Sequence, residues 1–167
     1  MAGKPSRRHA LSKKDVKRLA ARVAEEVPGF PLTVKDKVEL VDYGEFTVYM
    51  VNGEPGLVEL RGRLLPHLRW LLKHGVGELP SVRVDPGATK AVGRGADLMV
   101  PGITKVEGDF EEGGIVVIVD DRYGAPIAVG VALMASEEVK ARLEGERRGK
   151  AIKVLHRPGD KVWNAQQ

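Results

Sequence analysis

From Ser81 to Arg157 the chain is cut into short apolar runs, "SVRVD", "LMVPG", "GIVVIVDD", "PIAVGVALM" and "KAIKVLHR", with Gly and Pro punctuating the stretches between. Spacing this tight leaves little room for the long crossovers that parallel strands need, and it favours a compact β-barrel over a βαβ sheet. Two brief helices interrupt the strands. One is expected through "ATKAVGRG" and one through "SEEVKARLE", where Ser136 caps and Glu137 and Glu138 meet the positive end of the helix dipole.

The first half reads differently. In "LSKKDVKRLAARVAEEV", Ser12 stands three residues before Asp15, a capping-box spacing, and Val16, Leu19, Ala20, Val23, Ala24 and Val27 repeat at helical intervals. Pro28 and Gly29 end this helix. "KVELVDYGEFTVYMVNGEPGLVEL" alternates instead, with turn candidates at Tyr43-Gly44 and Asn52-Gly53, so three short antiparallel strands are expected. "RLLPHLRWLLKHG" returns to a helical pattern, with Leu64, Leu68, Leu71 and Leu72 on one side, Pro66 in the first turn and Gly75 as the stop. "GVGELPS" then reads as a linker, placing a domain boundary near Leu79. The fold class is α+β, with a small helix–sheet–helix domain over residues 1–78 and a barrel from residue 79 onward.

The chain has 27 Lys/Arg against 23 Asp/Glu, but the first 28 residues alone hold eight cations and three acids. Lys13, Lys14, Lys17, Arg18 and Arg22 fall on the polar face of the first helix, a secondary basic face suited to an anionic partner such as RNA. The other reading is a solvated helix face plus a ragged basic tail. No apolar run approaches the ~20 residues that cross a bilayer, and "MAGKPSRRHALSKKD" has no signal-like apolar region, so a soluble cytoplasmic protein without a membrane partner is expected.

Chemistry is hard to find. There is no cysteine, which removes disulfides, thiolate nucleophiles and cysteine-ligated zinc. His67 and His74 are two helical turns apart, about 10 Å of rise, too far to share a metal. "GERRGK" is one residue short of a phosphate loop and has Ala151 where Ser or Thr must reach magnesium. "GRGADL" lacks the third glycine of a dinucleotide fingerprint. Glu111-Glu112 and Asp120-Asp121 read as solvated loop acids. No catalytic residue, metal or cofactor is expected.

What remains is "VDPGATKAVGRGADLMVPG", with four glycines, two prolines and two cations. A helix starting after "DPG" presents main-chain N–H groups that small Gly87 and Ala88 leave uncovered, an arrangement that binds anions. Lys90 and Arg94, four apart, are placed to flank a phosphate, while Gly95, Ala96, Pro101 and Gly102 allow a backbone or base edge to come close. The alternative is that these glycines serve only tight barrel corners. Arg83, just before the segment, can face either way.

"VDPGATKAVGRGADLMVPGI" resembles the opening motif of the PUA domain, a small RNA-binding pseudo-barrel. "GAPIAVGVALMASEEV" and "GKAIKVLHRPGDKVW" resemble its later strands, intervening helix and closing strand with Trp163, so the resemblance covers residues 79–163. Preceded by a helix, a meander and "LRGRLLPHLRWLLKHG", it is similar to the malignant T-cell amplified sequence family, in which an N-terminal pre-PUA domain is fused to PUA. That resemblance implies a non-catalytic translation-associated protein of the archaeal type, acting on the small ribosomal subunit through its rRNA, on the tRNA acceptor end, or on both, with a density-regulated-protein-like partner possible. It also implies that Gly87, Ala88, Gly95, Ala96, Pro101 and Gly102 shape an RNA groove, with Lys90 and Arg94 on phosphates and Lys153 and His156 on the opposite wall. The alternative function is a targeting module for a separate tRNA- or rRNA-modification enzyme.

Overall fold

The computed structural model describes residues 4–165, which form two units. The first contains the described residues up to Gly77 together with those from Gly159 onward; the second spans Glu78–Pro158.

In the first unit, β1 (Arg7–Ala10), β2 (Val38–Asp42), β3 (Phe46–Val51), β4 (Glu54–Leu60) and β5 (Arg63–Pro66) make one antiparallel sheet in chain order. Helix α1 (Lys13–Glu26) lies in the connection from β1 to β2, and α2 (Leu68–His74) follows β5. Ser12 caps α1 by accepting from the Asp15 N–H at 3.1 Å, and Val16, Leu19 and Val23 bury its apolar stripe. Asn52 (φ 51°) and Gly53 (φ 84°) both lie in the left-handed region, the geometry of a type I′ hairpin turn.

Two elements differ from the sequence expectation. The basic tail is not ragged: Arg7–Ala10 pairs with β2 as an edge strand exposed along its whole length. The second helix also starts later, because Arg63–Pro66 pairs with β4 across an Arg61-Gly62 turn. Leu64 and Leu65 are both fully buried, and the helix begins only at Leu68, capped by the buried His67, whose Nδ1 accepts from the Arg69 N–H at 3.1 Å. A four-residue run of alternating context fits either period, and sheet pairing decides it.

The second unit curls a six-stranded mixed sheet around its own core. Its strands are β6 (Ser81–Val84), β7 (Leu98–Met99), β8 (Ile103–Glu107), β9 (Ile115–Asp120), β10 (Pro126–Ala132) and β11 (Lys150–His156), in the order β7-β11-β10-β9-β6-β8. Helix α3 (Pro86–Gly93) follows β6, a 3-10 turn (Val100–Gly102) joins β7 to β8, and α4 (Ser136–Glu144) joins β10 to β11. Val82, Val100, Ile103, Ile118 and Ile152 are fully buried inside the curl. Gly130 stands at a bulge where a Cβ would run into the Lys153 carbonyl and, at 2.5 Å, Ile152, so the close approach of β10 and β11 needs glycine there.

Three further points correct the sequence reading. β8 is a strand that the apolar runs did not mark. Ser136 is the first helical residue of α4 and not its cap; its buried hydroxyl instead accepts from the Phe110 N–H and donates to the Phe110 carbonyl. Trp163, expected on a closing strand of the barrel, lies in α5 (Lys161–Asn164) and belongs to the first unit. There the Arg69 guanidinium sits 3.9 Å from its ring centre and donates to its carbonyl at 2.9 Å, tying the C-terminal segment to α2.

Candidate nucleic-acid interface

The glycine-rich segment builds a groove of about 270 Å³ between α3 and the β7/3-10 stretch. Its lining includes Gly87, Ala88, Pro101 and Gly102 together with Met99, Asp85 and Asp97. The walls are close because the backbones are close. A Cβ on Gly102 would lie 2.5 Å from the Ala88 Cβ, and the Asp85 N–H donates to the Gly102 carbonyl at 3.0 Å.

The helix start is not the open anion site that the sequence suggested. Asp85 is the N-cap of α3, and its Oδ1 accepts from the Ala88 N–H at 2.7 Å. A carboxylate therefore already occupies the N-terminus of the helix. A phosphate placed ~4 Å from it would meet repulsion of roughly 4 kcal/mol at an effective dielectric near 20, screened further by salt and water. The attraction of a helix N-terminus is about 0.3–1 kcal/mol. The acid wins, so the groove floor disfavours phosphate.

The cations stand elsewhere. Lys90 is in the last turn of α3 and Arg94 is its C-cap, about 9 Å of rise beyond Ala88. Both are exposed, neither lines the groove, and neither has an ion-pair partner among the described residues. Gly95 and Ala96 are exposed beyond the helix end, where the Arg157 guanidinium lies over Gly95 and its Nη1 donates to the Gly93 carbonyl at 3.3 Å. Lys153 is exposed on β11 and outside the groove lining. His156 is fully buried, which removes it from any groove wall.

Asp97 is the second acid of the groove, and its position is not legible locally. Its Oδ1 accepts from the Val154 N–H at 3.0 Å, fixing β11 to the stretch before β7, and its Oδ2 lies 3.9 Å from the Lys150 ammonium. Asp85 Oδ2 has no partner among the described residues. The floor thus presents hydrogen-bond acceptors, the soft apolar surface of Met99 and space left by small side chains. Such a surface suits base amino groups and ribose hydroxyls, which donate hydrogen bonds.

On the first unit, Lys13, Lys14 and Lys17 are exposed along α1 without ion-pair partners among the described residues, and Arg18 lies 3.7 Å from Asp15. Arg22 is not part of a free basic face. It pairs with Glu26 at 2.5 Å and Glu59 at 2.8 Å, and the Glu59 and Glu26 hydrogen bonds hold its guanidinium firmly protonated. Edge strand β1 instead brings Arg7 and His9 beside Arg18 in a shallow groove floored by Leu19, Leu40 and Tyr49. This strand is not legible in the sequence, since "RRHA" has no apolar alternation. Among the described residues no three His, Asp or Glu side chains are grouped to hold a metal, and no helix is long and apolar enough to cross a membrane.

Residues 80–157 match the family model of the PUA domain, and residues 7–74 match a domain of unknown function, DUF1947. The fold is that of a PUA-domain protein carrying a DUF1947-type domain ahead of it. The chain is 38% identical over 161 residues to an uncharacterized protein of Methanocaldococcus jannaschii, covering 95% of this chain and 96% of that protein, and 34% identical to translation machinery-associated protein 20 of Saccharomyces cerevisiae, covering 78% and 73%. It belongs to the family of translation machinery-associated protein 20, the malignant T-cell amplified sequence family. Among solved structures, a PUA-domain protein of Aeropyrum pernix in a tartrate complex superposes with a TM-score of 0.84 at 36% identity, over 94% of this chain and 90% of that one.

Proposed function

We propose that this protein is a non-catalytic, cytoplasmic RNA-binding factor of translation, acting on the small ribosomal subunit or the acceptor end of tRNA, with the α3 groove taking an unpaired nucleotide by its base and ribose. The observation that carries the reading is the groove itself, whose floor offers the Asp85 and Asp97 acceptors between walls of Ala88, Pro101 and Gly102. Phosphates then fall outside, toward exposed Lys90, Arg94 and Lys153, where contacts position the strand while the floor reads it. The relationship to translation machinery-associated protein 20 supports placing that RNA in translation. The basic surface of Lys13, Lys14, Lys17 and Arg18, with Arg7, is the place for a second contact to rRNA, and a density-regulated-protein-like partner fits the same assembly.

Asp85→Asn tests the groove, because asparagine caps a helix as well as aspartate does and only the charge is lost. If the carboxylate accepts from base or ribose donors, affinity for single-stranded RNA falls about three- to tenfold, since charge-assisted hydrogen bonds are roughly twice as strong as neutral ones. Tighter binding would return the phosphate to the helix N-terminus. Unchanged binding would take the floor out of RNA contact, and sucrose-gradient sedimentation of the wild type with ribosomal subunits tests the translation reading separately.

A further inference from the structure

The chain has two tryptophans, three tyrosines and three phenylalanines, and all but one of them are buried or half-buried. The exception is Tyr123, 78% exposed, in the loop between β9 and β10. An aromatic ring left in water by a chain this sparing of aromatics asks for an occupant.

The loop that carries it is closed by hydrogen bonds to Asp120. Asp120, 4% exposed at the end of β9, accepts from the Arg122 N–H at 3.2 Å and holds the Arg122 guanidinium at 3.4 Å from each carboxylate oxygen. The Gly124 N–H closes the turn on the Asp120 carbonyl at 2.8 Å, with Gly124 at φ +68°. Arg122 so fixed places its guanidinium 5.1 Å from the Tyr123 ring centre. The ring is backed by a cation and open to solvent.

Its position follows from topology. β6 and β9 are parallel, with Val84 opposite Asp120, and the Asp121 N–H donates to the Val84 carbonyl at 2.9 Å. The loop therefore leaves β9 at the end of the sheet where Asp85 leaves β6 to start the groove. Lys105 stands exposed on β8 opposite Arg83, without an ion-pair partner among the described residues, and Arg83 Nη1 reaches within 4.0 Å of Asp121 beside the loop.

We propose that Tyr123, backed by Arg122, is a stacking platform for an unpaired RNA base whose neighbour in the strand enters the α3 groove, with Lys105 near the connecting phosphates. The proposal rests on the RNA reading of that groove. Stacking on an aromatic face beside cations suits a single strand of any sequence. It also accounts for a ring left 78% exposed.

The test uses the full chain and a fluorescent single-stranded RNA of about eight nucleotides, within the usual site sizes, followed by anisotropy. Tyr123→Ala weakens binding by about fivefold to a hundredfold, the range for loss of one stacked base, while Tyr123→Phe stays within about twofold of wild type. Replacing one nucleotide of the probe by an abasic unit weakens wild-type binding similarly and adds nothing to Tyr123→Ala. Equal affinity of wild type and Tyr123→Ala overturns the platform alone and leaves the ring to a protein surface. A Phe variant as weak as the Ala variant overturns stacking in favour of the hydroxyl. A wild type that binds no RNA overturns the groove reading and the platform together.

Discussion

Gly102→Ala is the perturbation that separates packing from ligand access in the glycine-rich segment. The new methyl carbon would stand 2.5 Å from the Ala88 Cβ and 3.7 Å from the Ala88 Cα. Carbon atoms rest at about 3.5–4.0 Å, so α3 must retreat by roughly 1 Å or more. That retreat strains the Asp85–Gly102 hydrogen bond of 3.0 Å and shifts Val92, which is buried. Overpacking of this kind costs about 1–3 kcal/mol, which urea denaturation followed by circular dichroism resolves. Ala88→Gly costs at most about 1 kcal/mol through helix propensity and clears the same contact from the other side. In the double variant Ala88→Gly/Gly102→Ala the methyl merely changes walls, so its destabilisation is less than the sum of the singles by about 1 kcal/mol or more. Strict additivity would show that the two residues do not press on each other. A Gly102→Ala protein of wild-type stability with weakened RNA binding would refute the packing argument and leave the missing side chain as room for ligand.

Two other outcomes are expected. Lys90→Ala/Arg94→Ala, removing exposed cations without ion-pair partners among the described residues, lowers the salt slope of RNA affinity by about one to two logarithmic units while leaving thermal stability near wild type, as salt-dependent binding measurements will show. Tyr49, pushed up to about 12 by burial and by the neighbouring Glu59 charge, gives up its proton well above the ordinary tyrosine value, as a titration followed by ultraviolet absorbance will show. Because its folded value is raised, the unfolded chain loses the proton first, so this group lowers stability as pH rises from about 10 toward 12 and contributes no change below pH 9.

How much was visible beforehand depended on whether a signal was local. Helix α1 was legible because Ser12, Asp15 and the Val16-Leu19-Val23 spacing all act within one helix, and the Asn52-Gly53 turn because both residues must take positive φ. β1 was not, since an edge strand exposed on all sides has no apolar pattern to show. The start of α2 is not legible, because Leu64 and Leu68 satisfy a helical interval while Leu64 and Leu65 are buried through pairing with β4. At the groove, Gly87, Ala88, Pro101 and Gly102 do line the space, while acids stand where the sequence suggested room for an anion. "DPG" did announce a helix start, but the same Asp85 that starts the helix also fills the anion position. Asp97 could not be found at all, because the amide it accepts from is Val154, far along the chain.

These two acids explain why a basic protein carries an acidic groove. Asp85 orders the helix and Asp97 orders β11, each with one carboxylate oxygen; the other oxygen of Asp85 has no partner among the described residues, and that of Asp97 faces only the more distant Lys150. The acceptors that would meet a nucleotide are thus held by the hydrogen bonds that hold the walls, so they need no ordering when it arrives. Affinity and selectivity then separate in space. On the RNA reading proposed above, exposed Lys90, Arg94 and Lys153 would act on phosphates at a range set by the Debye length, about 8–10 Å, and fade with salt. The carboxylates would act at hydrogen-bond distance on donors that, within RNA, only bases and riboses supply. Raising the ionic strength should therefore loosen the grip on every RNA alike while leaving the order of preference among them intact.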